Sequence, residues 1–173
     1  SLTTIGNNAF YQSGLNSIEI PNSVTSIGVG ICRLATSLTT VTFEAGSTLG
    51  NLQNEAFRSS GLTSIIIPKS VTRIGNRTFE NTTSLTSVTF ETGSTLTSIS
   101  NYAFQQSGLT SIEIPNTVTS LGDRAFENTT SLTTVTFEAN SSLISIGSRA
   151  FRLSALTSII IPELVTSIGG NAF

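Results

Sequence analysis

The feature that most constrains this chain is an Ala-Phe pair that returns at fixed steps. It stands at Ala9-Phe10, Ala56-Phe57, Ala103-Phe104, Ala125-Phe126, Ala150-Phe151 and Ala172-Phe173, with Thr78-Phe79 and Ile31-Cys32 as variants. Along Phe10, Cys32, Phe57, Phe79, Phe104, Phe126, Phe151 and Phe173 the steps are 22, 25, 22, 25, 22, 25 and 22 residues, so two unit types alternate with a joint period of 47. A unit of about 23 residues cannot bury its own apolar face, whereas a stack of such units makes a continuous core. The chain therefore reads as a single solenoid over residues 1–173, with repeats starting at Leu15, Leu38, Leu62, Leu85, Leu109, Leu132 and Leu156 and a partial repeat at each end.

The first unit type runs Leu62-Thr-Ser-Ile65-Ile-Ile67-Pro68, then Val71-Thr-Arg-Ile74-Gly75, then Thr78-Phe79. The second runs Leu85-Thr-Ser-Val88-Thr-Phe90-Glu91, then Leu96-Thr-Ser-Ile99, then Ala103-Phe104, with two extra residues in the turn after its first strand. Apolar residues at Ile65 and Ile67 alternate with period two, as in a half-buried strand. A second short alternation follows at Val71 and Ile74, and Gly75 suits a tight turn. The Ala-Phe segment is expected to form a 3₁₀ or one-turn helix. Pro21, Pro68, Pro115 and Pro162 fall just after the first strand, where a missing N–H is expected to cost no ladder bond. All ten phenylalanines fit this scheme, because Phe43, Phe90 and Phe137 take the second inward strand position held by isoleucine in the other units.

The unit Leu-x-x-Ile-x-Ile-Pro-x-x-Val-x-x-Ile-Gly-x-x-Ala-Phe resembles the leucine-rich repeats of the BspA type, over the whole chain. The resemblance implies a right-handed β-rich solenoid with a parallel sheet on its concave side. It also implies a secreted or cell-surface protein engaged in adhesion, with no catalytic residues to carry over. Phe-Glu in place of Ile-Pro in alternate units, and Cys32 in place of a phenylalanine, are mild departures.

Composition narrows the function. The chain has no histidine, one lysine (Lys69), one aspartate (Asp123) and one cysteine (Cys32), which removes the usual triads, the common zinc ligands and any disulfide framework. Cys32 replaces a core phenylalanine and has no base beside it, so it reads as a buried structural thiol. Glu44, Glu91 and Glu138 recur two rungs apart, at ~9.6 Å, but solvated strand-end carboxylates produced by duplication are the ordinary reading of that pattern. No enzyme activity, cofactor or metal is expected. A net charge of −2 with dispersed arginines offers no basic stripe for nucleic acid, and no apolar run approaches the ~18 residues of a membrane span.

The outward strand positions are the candidate contact surface for a protein or glycan partner. The first row is Ser17, Thr40, Ser64, Ser87, Ser111, Thr134 and Ser158; the second is Glu19, Thr42, Ile66, Thr89, Glu113, Thr136 and Ile160; the third brings Glu44, Glu91 and Glu138. Thr40-Val41-Thr42 and Thr134-Val135-Thr136 are similar to the Thr-x-Thr ladders of ice-binding solenoids, but Glu19, Ile66, Glu113 and Ile160 interrupt the row. Four Asn-x-Ser/Thr sequons, at Asn76, Asn81, Asn128 and Asn140, are candidate N-glycosylation sites on turns or convex segments. Charges after the Ala-Phe pair, such as Arg58 with Glu80 and Glu127 with Arg152, are expected to be neighbours on adjacent rungs. The chain opens and stops inside a repeat, which predicts a segment of a longer array or, as the alternative structural role, a spacer or filament subunit associating end to end.

Overall fold

The computed structural model describes residues Ser1–Phe173. Its strands are β1 (Thr4–Ile5), β2 (Ser17–Ile20), β3 (Ser26–Ile27), β4 (Thr40–Phe43), β5 (Asn51–Leu52), β6 (Ser64–Ile67), β7 (Arg73–Ile74), β8 (Ser87–Phe90), β9 (Ser98–Ile99), β10 (Ser111–Ile114), β11 (Ser120–Leu121), β12 (Thr134–Phe137), β13 (Ser145–Ile146) and β14 (Ser167–Ile168). Four-residue strands stack on one side of the solenoid and two-residue strands on another, every pairing being parallel. Equivalent residues of successive units face each other, as Ser64 faces Ser87 and Ile67 faces Phe90. The alternation read from the sequence sets this register, since a slip of one residue would turn Ile65 and Ile67 out to water.

The third side is not helical, contrary to expectation. Residues two before and two after the marker phenylalanine have positive φ, for example Glu55 at 58° and Ser59 at 54° around Phe57, and Arg77 at 57° and Asn81 at 58° around Phe79. A non-glycine residue in this region costs about 1–2 kcal/mol and cannot continue a right-handed helix. The backbone bonds lost to a helix are made between rungs instead. The N–H groups of Glu55, Phe57 and Ser59 donate to the carbonyls of Asn76, Thr78 and Glu80, at 2.9, 2.9 and 2.8 Å. The arrangement recurs in every rung, so this side is a ladder of turns.

A single cluster of 39 buried residues runs the length of the solenoid. Its spine is the stack Phe57, Phe79, Phe104, Phe126, Phe151 and Phe173, with ring centroids 5.1–5.5 Å apart and planes within 17° of parallel. Stacked pairs of this kind contribute about 0.5–1.5 kcal/mol each beyond their burial. Cys32 interrupts the stack, and Ile31 replaces the small alanine beside it; both are buried. The two exchanges compensate in volume, large for small and small for large. Cys32→Phe alone is expected to overpack the core and cost about 1–3 kcal/mol. Adding Ile31→Ala should recover most of the loss, as a double-mutant cycle of thermal melts would read.

The sheet of long strands is not uniform. β2 pairs with β4, β6 with β8 and β10 with β12 over four residues each. Between β4 and β6 only Thr40 and Ser64 are bridged, and β8 and β10 share no bridged pair. Proline removes the closing bond at each seam, which corrects the expectation that it costs no ladder bond. Within each pair the glutamate N–H closes the ladder, Glu44 to Ile20, Glu91 to Ile67 and Glu138 to Ile114, at 2.9–3.0 Å. The equivalent residue across each seam is Pro68, Pro115 or Pro162, which has no N–H to offer. At the last seam the segment holding Ser158 and Ile160 forms no strand and makes no backbone hydrogen bond to β12, so these two residues do not join the sheet as expected.

Glycine follows β3, β7, β11, β13 and β14 because of crowding, whereas Gln53 and Ser100 follow β5 and β9. Gly122 lacks a positive φ, but a Cβ there would lie 2.5 Å from the backbone nitrogen of Asn101 one rung earlier. Gly122→Ala should therefore lower the melting temperature strongly, by the equivalent of about 1–3 kcal/mol. Gly170→Ala, where a Cβ meets nothing within 4 Å, is the control and should leave it nearly unchanged.

Candidate functional site

The outward residues of β2, β4, β6, β8, β10 and β12 are all exposed, as the alternation requires. Ser17, Thr40, Ser64, Ser87, Ser111 and Thr134 make one row, and Glu19, Thr42, Ile66, Thr89, Glu113 and Thr136 the next. Ile66 is 61% exposed, an apolar side chain with no fold-stabilising contact to explain it. Ser158 and Ile160 are exposed as well but belong to the detached segment, where Ile160 reaches 88%.

Glu44, Glu91 and Glu138 have a structural task. Each carboxylate accepts a hydrogen bond from the backbone N–H that follows the proline one rung earlier, that of Asn22, Lys69 or Asn116, at 3.0 Å. The glutamate that closes the strand ladder thus also caps the neighbouring turn. Beside the first outward row, the exposed Thr39, Thr63, Thr86, Thr110 and Thr133 turn their hydroxyls along the stack. Each donates to the carbonyl one rung earlier, at 3.2–3.4 Å.

The sequons find local explanations. Asn81, Asn128 and Asn140 have φ of 58°, 59° and 59°, the left-handed conformation that asparagine tolerates better than most residues. Asn140 occupies the turn position held by Gly46 and Gly93 in the equivalent units, where φ is 80° and 78°. Asn76 belongs to a side-chain ladder: its Oδ1 accepts from the Asn101 N–H, as Asn54 accepts from Asn76 and Asn101 from Asp123. The hydroxyl of Thr78, the third residue of that sequon, is buried and bonded to the carbonyls of Gly75 and Gln53.

The arginines, dispersed in sequence, gather on one edge. Six of the seven flank the marker pair: Arg33, Arg58, Arg77, Arg124, Arg149 and Arg152, interleaved with Glu55, Glu80 and Glu127. The expected neighbours do meet, Arg58 with Glu80 at 2.6 Å and Arg152 with Glu127 at 3.2 Å. Tyr102 lies under the guanidinium groups of both Arg77 and Arg124, at 5.0 and 5.4 Å, and the exposed Tyr11 under Arg33 at 5.3 Å. The sheet side carries the opposite sign, with Glu19, Glu44, Glu91, Glu113 and Glu138 against Lys69. Aligning the rungs on the marker position shows the signal, arginine falling one residue after it (Arg33, Arg58, Arg152) or two before it (Arg77, Arg124, Arg149).

Two titratable groups are perturbed in ways that bear on stability and reactivity. Burial pushes the Cys32 thiol up to about 12, which keeps it protonated and unreactive. Burial also acts to raise the Glu55 carboxyl, but the hydrogen bond from Arg33 and the charges of Arg58 and Arg33 outweigh it, leaving the group below its ordinary 4.5. A depressed carboxyl stabilises the fold above its unfolded pKa and loses that contribution as pH falls through the folded value. The stability difference between the natural protein and Glu55→Gln should therefore shrink from about pH 6 to about pH 3, as denaturant melts along the pH range would record.

Parallel rungs of about 23 residues, held by inter-rung ladders on three sides and without helices, define a leucine-rich-repeat β-solenoid. The sequence matches the BspA type leucine rich repeat region in six copies, over residues 3–97 and 50–173, and the chain belongs to that family. The fold is shared with the pneumococcal vaccine antigen PcpA, at 23% identity over 95% of this chain and 57% of that one, with a TM-score of 0.74. A leucine rich cell surface protein of Faecalibacterium prausnitzii aligns at 26% identity over 99% of this chain and 62% of that one, with a TM-score of 0.62. A leucine rich repeat protein of T. pallidum aligns at 22% identity, 97% and 67% coverage and a TM-score of 0.58. The chain thus spans 57% and 62% of the first two structures. No curated protein matches it. No helix is long and apolar enough to cross a membrane, and no group of three or more Cys, Asp or Glu side chains is placed to hold a metal ion.

Proposed function

We propose that this chain is a non-catalytic binding module of a surface or secreted protein, contacting a protein or a glycan through the outward side of its long-strand sheet. The observation that carries the reading is the second outward row, where Glu19, Ile66 and Glu113 stand exposed among hydroxyl side chains and serve no contact within the fold. A flat surface with spaced acids and an isolated apolar side chain suits a broad macromolecular contact. The family and the cell-surface relative support the location.

A structural role as a spacer is the second reading, and the threonine hydroxyls bonded between rungs favour it, because they spend the polar groups of one row on the stack itself. Ice binding is not favoured: acids and isoleucines break the row that would have to match a lattice. Binding to extracellular-matrix proteins and to a glycan array, measured beside a variant with Glu19, Ile66, Glu113 and Ile160 all replaced by Ser, separates the two roles. The expected result is binding that falls at least about tenfold in the variant, the loss of roughly 1.4 kcal/mol. No binding by either form moves the conclusion to the spacer, and equal binding by both places the contact away from this row.

A further inference from the structure

The asparagine ladder in the middle of the stack has a one-sided chemistry. Only the oxygen of an amide can meet a backbone N–H, so each ladder bond fixes which way the side chain turns. Asn54, Asn76 and Asn101 spend Oδ1 on the N–H of the next rung, at 2.9, 3.1 and 2.9 Å, and their Nδ2 groups bond to nothing else in the protein. Asp123 ends the file, its Oδ1 accepting from the Ser148 N–H at 2.8 Å. Asn76 and Asn101 are exposed, and the residues that follow them and Asp123, namely Arg77, Tyr102 and Arg124, form the adjoining column. The two guanidinium groups reach Tyr102 from the rung before and the rung after, 5.0 and 5.4 Å from the ring centre. Glu80 and Glu127 stand 3.9 and 3.8 Å from them, outside hydrogen-bonding distance. Those carboxylates are held more closely by Arg58, at 2.6 Å, and by Gln105 and Arg152, at 2.7 and 3.2 Å. Arg77 and Arg124 thus keep their donors free.

We infer that this strip binds an anionic glycan, a chain of sugars bearing sulfate or carboxylate groups. The ladder turns amide acceptors inward and leaves amide and guanidinium donors outward, and oxyanions accept such bonds without competing for them. Charge spacing selects the polymer. Arg77 and Arg124 stand two rungs, ~9.6 Å, apart, whereas duplex nucleic acid carries a charge about every 1.7 Å. Widely spaced oxyanions joined by hydroxyl-bearing sugars match the sparser array, the hydroxyls accepting from the asparagine amides between. The strip holds no aliphatic residue, so a folded protein would find no apolar centre to bury there. The acidic long-strand side repels the same chain, which confines it to this corner of the solenoid. The strip lies on a different side from the proposed contact surface, and each stands without the other.

The test uses the whole chain and a labelled chondroitin sulfate octasaccharide, with a hyaluronan octasaccharide and an oligothymidylate beside it. The sulfated probe should bind saturably and weaken about five- to sevenfold between about 50 and about 150 mM salt, as two arginine contacts displace counterions. On binding, the side-chain amide signals of Asn76 and Asn101 should shift in nuclear magnetic resonance spectra. Those of Asn22 and Asn116, which donate to the carbonyls of Ala45 and Ala139, should stay in place. Arg77→Gln with Arg124→Gln should weaken binding at least about tenfold, while Arg33→Gln with Arg58→Gln, which removes the same charge from the same edge, should weaken it less than about twofold. Asn101→Asp keeps the ladder oxygen, as Asp123 does in the natural chain, and replaces the free donor with a charge. It should leave the melting temperature nearly unchanged and weaken binding about tenfold.

Equal losses in the two double variants would reduce the effect to net charge and overturn the inference. So would the absence of saturable binding to the natural protein, which does not depend on any variant folding. Tighter binding of oligothymidylate than of the sulfated probe assigns the strip to a phosphodiester chain and overturns it too. Hyaluronan separates the two sources of oxyanion: binding equal to that of chondroitin sulfate supports the inference with carboxylates alone, and weaker binding supports it with sulfate as the group recognised. The variant with Glu19, Ile66, Glu113 and Ile160 replaced by Ser should hold the octasaccharide as well as the natural protein does. Loss in that variant, with binding kept in Arg77→Gln, Arg124→Gln, would place the glycan on the long-strand side and overturn the inference while leaving the proposed function standing.

Discussion

Each rung of this solenoid completes its backbone hydrogen bonds only on its neighbours, and the rest of the structure follows from that dependence. On two sides the bonds are those of parallel strands; on the third they run from the N–H groups around one phenylalanine to the carbonyls around the next. A main chain that must meet its copy this closely leaves no room for a Cβ at positions such as Gly75 and Gly122. It also accepts glutamate, arginine and tyrosine in left-handed conformations they otherwise avoid, because three inter-rung bonds per turn offset the strain. The phenylalanine stack then fills the space that the ladders enclose.

Duplication of a two-rung unit has a physical consequence beyond repetition. Glutamate in one rung supplies the N–H that closes the strand ladder and a carboxylate that caps the turn one rung earlier; proline in the other supplies neither. The sheet is consequently a row of well-joined strand pairs separated by weaker seams. Carbonyl-to-amide distances show the gradation, with Thr86 and Thr133 held at 3.0 Å inside pairs while Thr63 and Thr110 stand at 3.3 and 3.4 Å across seams. At the Pro162 seam no backbone hydrogen bond joins the two sides.

The surface divides into sides of opposite character. The marker-pair edge carries most of the arginines, tied to glutamates and tyrosines along the stack, while the long-strand side is acidic and rich in hydroxyl groups. Much of the polar surface is occupied in holding rungs together: threonine hydroxyls, the asparagine ladder and the strand-end glutamates all bond one rung away. The side chains free for another molecule are fewer than their exposure suggests. Glu19, Ile66 and Glu113 are the clearest of them.

The sequence by itself determined the repeat, the two alternating unit types, the inward residues of the strands and the identity of the phenylalanine spine, because a stack of near-copies makes period and burial the same information. It also placed Arg58 beside Glu80, one step of the repeat apart. What it left open depended on which way backbone groups point. A turn ladder and a one-turn helix ask for the same Ala-Phe spacing, so the sequence pattern favoured the helix, and only the inter-rung hydrogen bonds decided for the ladder. Proline after a strand looked harmless until its partner rung was seen to use the equivalent N–H. The gathering of arginines on one edge and the seams of the long-strand sheet likewise arise from neighbours one rung away, in the third dimension, where a one-dimensional pattern carries no distances.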